Sequence, residues 1–180
     1  MSHGIGAAAM SLSGWRFDGA MPNEPKFVIS VAPHTSNWDF CVGIAAVFAL
    51  RLRVSFLGKD TLFKGPLGLF MRWLGGIPVD RSVSRDRVAE SVHAFKSNGQ
   101  LVLAVAPEGT RKRVAEWKSG FYYVAHGAGV PIVPVAFDYG SRAVRIGAPI
   151  ITSGDREADI ATLKSFYRGI VARHPDQFQL

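Results

Sequence analysis

Two short blocks of the sequence carry side chains suited to moving a proton and holding an anion. The first is Pro33-His34-Thr35-Ser36-Asn37-Trp38-Asp39. Histidine titrates near neutrality, so His34 can take a proton from a hydroxyl and later return it to a leaving group. A carboxylate at Asp39 would fix the ring tautomer and stabilise the imidazolium. The alternative is an ordinary loop histidine beside a carboxylate at a helix start. The second block is Pro107-Glu108-Gly109-Thr110-Arg111. Gly109 permits a tight turn, Thr110 can donate a hydrogen bond, and Arg111 offers a planar fork to phosphate or carboxylate. Glu108 can hold a substrate hydroxyl or orient a basic side chain; a surface turn with an internal Glu–Arg pair is the competing reading.

Spacing decides what must position these groups. On one continuous helix, residues five apart are separated by roughly 140° and do not meet. His34 and Asp39 therefore need a break between them, and the flanking elements supply one. Residues 26–32 (KFVISVA) read as a strand that Pro33 ends. Residues 37–50 read as a helix with Ser36 or Asn37 as N-cap and Asp39 in its first turn. Residues 101–106 (LVLAVA) form a continuous apolar run, the pattern of a strand covered on both faces, and Glu108 follows at its exit, a favoured ligand position in α/β sheets.

The remaining signals alternate in the same way. Strands are expected over 53–57, 77–79, 132–137 and 143–146, and helices over 65–74, 85–98 and 120–126. A final amphipathic helix is marked by Ile160, Leu163, Tyr167, Ile170 and Val171. This predicts a single α/β domain across residues 1–180, with a largely parallel central sheet flanked by helices.

Composition bounds the function. The chain has 180 residues, 48% of them hydrophobic, enough for a buried core, and a net charge of +7. Residues 51–81 hold six cations against two anions, and residues 111–118 four against one, so the excess sits in two places. A lone cysteine, Cys41, excludes an intrachain disulfide and a multi-cysteine zinc site. It lies in an apolar helical stretch and is expected to fill core rather than act as a nucleophile. His3, His93, His126 and His174 lack metal-ligand spacing, so no metal is expected. The longest apolar run, residues 40–50, is too short to span a bilayer, and the first 14 residues lack the features of a secretory signal. The expectation is a soluble or peripheral protein.

The order of His34/Asp39, GGIPVDR (residues 75–81), PEGTR (107–111) and VPIVPV (130–135) resembles the glycerolipid acyltransferase family, whose best-known members are the 1-acylglycerol-3-phosphate acyltransferases. The resemblance covers roughly residues 26–137. It implies that His34 is the general base and Asp39 its partner. It also implies that Glu108, Gly109, Thr110 and Arg111 belong to the acceptor-binding block, and that Arg81 holds the acceptor's phosphate. Lys118 falls where members often carry Lys-x-Gly, and residues 130–135 are implied to be structural or acyl-lining. The implied reaction carries a fatty acyl group from acyl-CoA or acyl-carrier protein, a co-substrate rather than a bound cofactor, to a lysolipid acceptor.

Many members begin with hydrophobic membrane-associating helices, whereas here the histidine block arrives by residue 34. Residues 59–76, which mix Leu62, Phe63, Leu67, Leu69, Phe70, Met71, Trp73 and Leu74 with Lys59, Lys64 and Arg72, are the candidate contact with an anionic membrane surface; a core-packing helix with basic edges is the alternative. The expected location is cytoplasmic, peripheral on the inner face of the membrane. A non-catalytic lipid-binding module and a thioester hydrolase are the competing functions. Nucleic acid is not an expected partner, because no recognised binding motif is visible.

Overall fold

Alternation of apolar strands with helices produces a seven-stranded sheet in a computed structural model that describes residues 3–79 and 85–180. Along the chain the elements are α1 (His3–Leu12), β1 (Arg16–Asp18), β2 (Lys26–Val31), α2 (Asn37–Ala49), β3 (Val54–Lys59), a 3-10 turn (Asp60–Phe63), α3 (Gly65–Trp73) and β4 (Gly76–Val79). After the undescribed residues come α4 (Arg85–Ser97), β5 (Leu101–Val105), α5 (Gly120–Ala128), β6 (Ile132–Asp138), β7 (Ala143–Ile146), α6 (Arg156–Phe166) and a 3-10 turn (Pro175–Gln177).

The strand order is β1-β7-β6-β2-β5-β3-β4, and every pairing is parallel except β6 with β7. The α/β class with a largely parallel sheet is therefore the one the sequence pattern predicts. Strand β2 lies between β5 and β6, with Ser30 opposite Val105 on one side and Pro134 on the other. Parallel pairing puts the carboxyl ends of β2, β5 and β6 at one edge, where open α/β sheets bind ligands. The chain segments carrying His34, Glu108 and Tyr139 all leave the sheet there.

Both sheet faces are covered, which explains why the central strands are apolar throughout rather than alternating with polar residues. Side chains one residue apart go to opposite faces. Val28 joins Leu103, Ile132 and Ala136 against α4, α5 and α6 through Phe95, Phe121, Val124 and Leu163. Phe27 and Ile29 join Val102, Val133 and Val144 on the other face, under Met10 of α1 and Ala46 and Ala49 of α2.

Several expectations shift. Helix α1 and strand β1 carry no prediction, the first because its alanines signal helix without marking a face, the second because three residues are too few to show a period. The final helix stops at Phe166, with Tyr167 as its C-cap, so Ile170 and Val171 lie beyond it. Cys41 is exposed, which corrects the expectation that it fills core. The reason is that α2 is apolar over most of its surface, and the elements packed on it, α1, the sheet and Trp73, leave Cys41 uncovered. Among the described residues, no helix is long and apolar enough to cross a membrane.

Candidate functional site

The break that His34 and Asp39 require is a helix N-terminus. Ser36 caps α2, its Oγ accepting from the Trp38 N–H at 3.1 Å. The Asp39 carboxylate folds back to accept the Ser36 N–H at 2.8 Å, which completes a reciprocal capping box. The same Oδ2 accepts the Thr35 N–H at 2.7 Å and lies 3.3 Å from His34 Nδ1. The cap thus turns a five-residue spacing that fails on a helix into a direct approach. The carboxylate that faces the histidine thus satisfies the N-cap N–H, one of the four that a helix start leaves without an intrahelical partner, together with the Thr35 N–H just before it.

Asp39 is almost fully buried, while the His34 side chain keeps 23% of its surface exposed. Burial pushes the Asp39 carboxyl up, but the His34 side chain, the Tyr139 hydroxyl and the Ser36 N–H outweigh it and hold the group below its usual range. Asp39 is therefore an anion at neutral pH. It orients the ring so that Nδ1 faces the carboxylate, leaving Nε2 as the nitrogen that can work as a base.

Glu108 lies where the parallel β2–β5 pairing predicts, beside the histidine loop, but it faces inward. Its side chain is buried, and Oε2 accepts the His34 backbone N–H at 2.9 Å. Its other oxygen has no hydrogen-bond partner among the described residues. Burial pushes this carboxyl up from 4.5 to about 7, with the His34 N–H opposing the rise and the Asp39 charge adding to it. In this geometry Glu108 meets the His34 backbone, at the base of the loop that carries the imidazole.

The rest of the second block surrounds Glu108. Gly109 adopts φ +66° and sits under Lys118: a side-chain carbon added at Gly109 would come within 2.9 Å of Lys118 Cδ and Cε. The Lys118 N–H in turn donates to Pro107 O at 2.8 Å, so Lys118 folds back over the turn that carries Glu108. Thr110 Oγ1 accepts the Lys112 N–H at 3.3 Å inside the same turn, and Arg111 and Lys118 are exposed cations beside it. Arg81 lies outside the described residues. No group of three or more potential metal ligands occurs among the described residues.

Tyr139, just beyond β6, is the site residue the sequence pattern did not mark. Its hydroxyl donates to Asp39 Oδ1 at 2.7 Å across 100 residues of sequence. Burial and the adjacent Asp39 charge both push the phenol pKa up, so it stays protonated and able to donate. Its position at a strand exit, like those of His34 and Glu108, was the available signal.

The apolar segment around α3 has an exposed side as well as a packed one. Leu69 (73% exposed), Phe70 (52%) and Trp73 (57%) project from α3, with Leu62 and Leu67 beside them, while Phe63 and Met71 form its buried side. Phe70 stacks on Trp73, and Trp73 reaches Phe48 of α2. Trp38, in the first turn of α2 beside the histidine loop, is also 61% exposed.

Comparison with known proteins agrees with this architecture. A family model described as Acyltransferase matches residues 19–138. Human 1-acyl-sn-glycerol-3-phosphate acyltransferase beta is 29% identical over 191 residues, covering 86% of this chain and 66% of the human protein. The 1-acyl-sn-glycerol-3-phosphate acyltransferase of Escherichia coli K12 is 30% identical over 125 residues, 66% of this chain and 49% of that protein. The chain thus spans about half to two thirds of the length of these curated relatives. The crystal structure of the 1-acyl-sn-glycerophosphate (LPA) acyltransferase PlsC from Thermotoga maritima aligns with a TM-score of 0.66 over 96% of this chain and 79% of that one, at 20% identity, a likeness of fold.

Proposed function

The chain belongs to the acyltransferase family, and from that premise we propose that it transfers a fatty acyl group from an acyl thioester, acyl-CoA or acyl-carrier protein, to a lysophosphatidate-type acceptor. The observation that carries the reading is the His34–Asp39 approach, 3.3 Å, with the carboxylate held by the Thr35 and Ser36 N–H groups and the Tyr139 hydroxyl. In this reaction His34 Nε2 takes the proton from the acceptor hydroxyl as its oxygen attacks the thioester carbonyl carbon. The carbon–sulfur bond then breaks, and the imidazolium returns the proton to the departing thiolate. Carbon–oxygen replaces carbon–sulfur, and the enzyme ends as it began, with no acyl-enzyme. Arg111 and Lys118, exposed beside the Glu108 turn, suit the phosphate of the acceptor or of the donor's carrier.

Mass spectrometry of lipid products after incubation with mixed acyl-CoAs and lysolipids tests this. An acylated lysolipid whose yield depends on the acceptor is the expected result. Free fatty acid formed equally with or without lysolipid would identify a thioester hydrolase instead, and no turnover across the panel would leave a lipid-binding module.

The acceptor lies in a lipid surface, and the α3 region supplies a matching face. We assign Leu62, Leu67, Leu69, Phe70 and Trp73 to contact with an anionic bilayer, with exposed Lys59, Lys64 and Arg72 around them to meet headgroup charge. This would place the protein peripherally on the inner face of the membrane. In vesicle co-sedimentation, Phe70→Ser combined with Trp73→Ser is expected to weaken binding to anionic vesicles about tenfold, and higher salt to weaken it further. Binding that is unchanged in both conditions would remove this face from the proposal.

A further inference from the structure

Asp39 uses its two oxygens differently. Oδ2 receives the Thr35 and Ser36 N–H groups at 2.7 and 2.8 Å and faces His34 Nδ1 at 3.3 Å. Oδ1 receives the Tyr139 hydroxyl at 2.7 Å. A carboxylate tethered through one oxygen can still turn about its Cβ–Cγ bond, because a terminal sp3–sp2 torsion is broad. A donor on the other oxygen fixes the plane of the group and, with it, the direction from which Oδ2 meets the ring.

The donor is itself held from three sides. The Tyr139 backbone N–H donates to Val171 O at 2.9 Å. Its ring meets Trp15 edge-on with centroids 5.0 Å apart, and the Arg173 guanidinium carbon lies 5.7 Å from the ring centroid. The turn that follows is fixed by the buried Asp138 carboxylate, which accepts from the Gly140 N–H at 3.1 Å, from the Ser141 hydroxyl at 2.7 Å and from Arg145 at 2.7 Å. Tyr139 therefore reaches Asp39 from a preorganised support rather than from a loose loop. It lies one residue past the end of the matched family segment, 19–138.

We propose that Tyr139 is a positioning residue for the reaction, acting through Asp39 to hold the His34 ring with Nδ1 protonated and Nε2 free to accept the acceptor's proton. It touches neither substrate. The inference rests on the general-base reading of His34, and its experiment contains an arm that does not depend on turnover.

Tyr139→Phe keeps the ring, its contact with Trp15 and its place under Arg173 while removing one donor to a charged group. Transfer kinetics are expected to show kcat lowered about three- to thirtyfold with KM for donor and acceptor within about twofold. In the 15N NMR spectrum, with His34 identified by its disappearance in His34→Ala, the neutral His34 ring is expected to pass from the Nδ1–H form to a mixture of tautomers. The melting temperature should change by only a few degrees. A variant that melts lower but keeps the wild-type tautomer and kcat would make Tyr139 a packing residue and overturn the proposal. So would a loss carried entirely in KM with the tautomer unchanged. If wild-type protein transfers no acyl group yet Tyr139→Phe still changes the tautomer, the positioning role stands and the acyltransferase reading falls.

Discussion

Replacing His34 by Ala is expected to lower kcat for acyl transfer about 10³-fold while leaving the fold in place. The loss is large because no other group described near His34 can take the hydroxyl proton: Glu108 is buried against the His34 backbone, and Lys118 and Arg111 are cations. The fold should survive because the contacts that organise the loop are not made by the imidazole. Glu108 accepts from the His34 backbone N–H, which alanine retains. The capping box uses Ser36 and Asp39, and Thr35 Oγ1 accepts the His174 N–H. Asp39→Ala is a less clean probe. It would strand the Thr35 and Ser36 N–H groups and the Tyr139 hydroxyl, each an unsatisfied donor costing about 1–3 kcal/mol. Steady-state kinetics together with a thermal melt of His34→Ala decide the matter. Activity within tenfold of wild type at an unchanged melting temperature would remove His34 from the chemistry.

The His34–Asp39 pair was legible in sequence because a strand signal, a proline and a helix start bracket it within 14 residues. The device that brings the pair together is local as well, with Ser36 at the helix cap and Asp39 in its first turn. A serine three residues before an aspartate is a capping box, and it makes the carboxylate turn back toward the loop instead of out from the helix. Glu108 was legible as a residue at a strand exit, but its inward orientation was not. That follows from β5 lying beside β2, which brings Glu108 to the His34 N–H across 74 residues. Tyr139 needed the other neighbour of β2, strand β6, and a separation of 100 residues. Both contacts are properties of strand order, and local periodicity carries no information about which strands pair. The exposure of Cys41 and of the α3 aromatics has the same origin: an apolar helix announces that something will cover it, whereas which face the remaining elements reach is decided by their placement.

Glu108 yields a second large effect, on stability. Its carboxyl has an ordinary value of 4.5 and rises to about 7 in the folded chain, chiefly because burial disfavours the anion. A raised acid pKa means that, between those two values, the folded state binds more protons at this group than the unfolded state does. Stability from this group is therefore fully present below about pH 4.5 and is lost as pH rises through about 7. Integrated over the window from pH 5 to pH 8, the loss amounts to about 2–3 kcal/mol. Glu108→Gln removes the titration while keeping an oxygen for the His34 N–H, and the ionisable groups that do not interact with Glu108 cancel when the two proteins are compared. Urea unfolding of both at pH 5 and pH 8 is expected to show the wild type losing about 2–3 kcal/mol more than the variant over that interval. Parallel stability profiles would mean that Glu108 is ionised in the folded protein across the whole range. The buried carboxyl would then have to be reassigned as a permanent anion beside Asp39, and the inward-facing, proton-retaining arrangement abandoned.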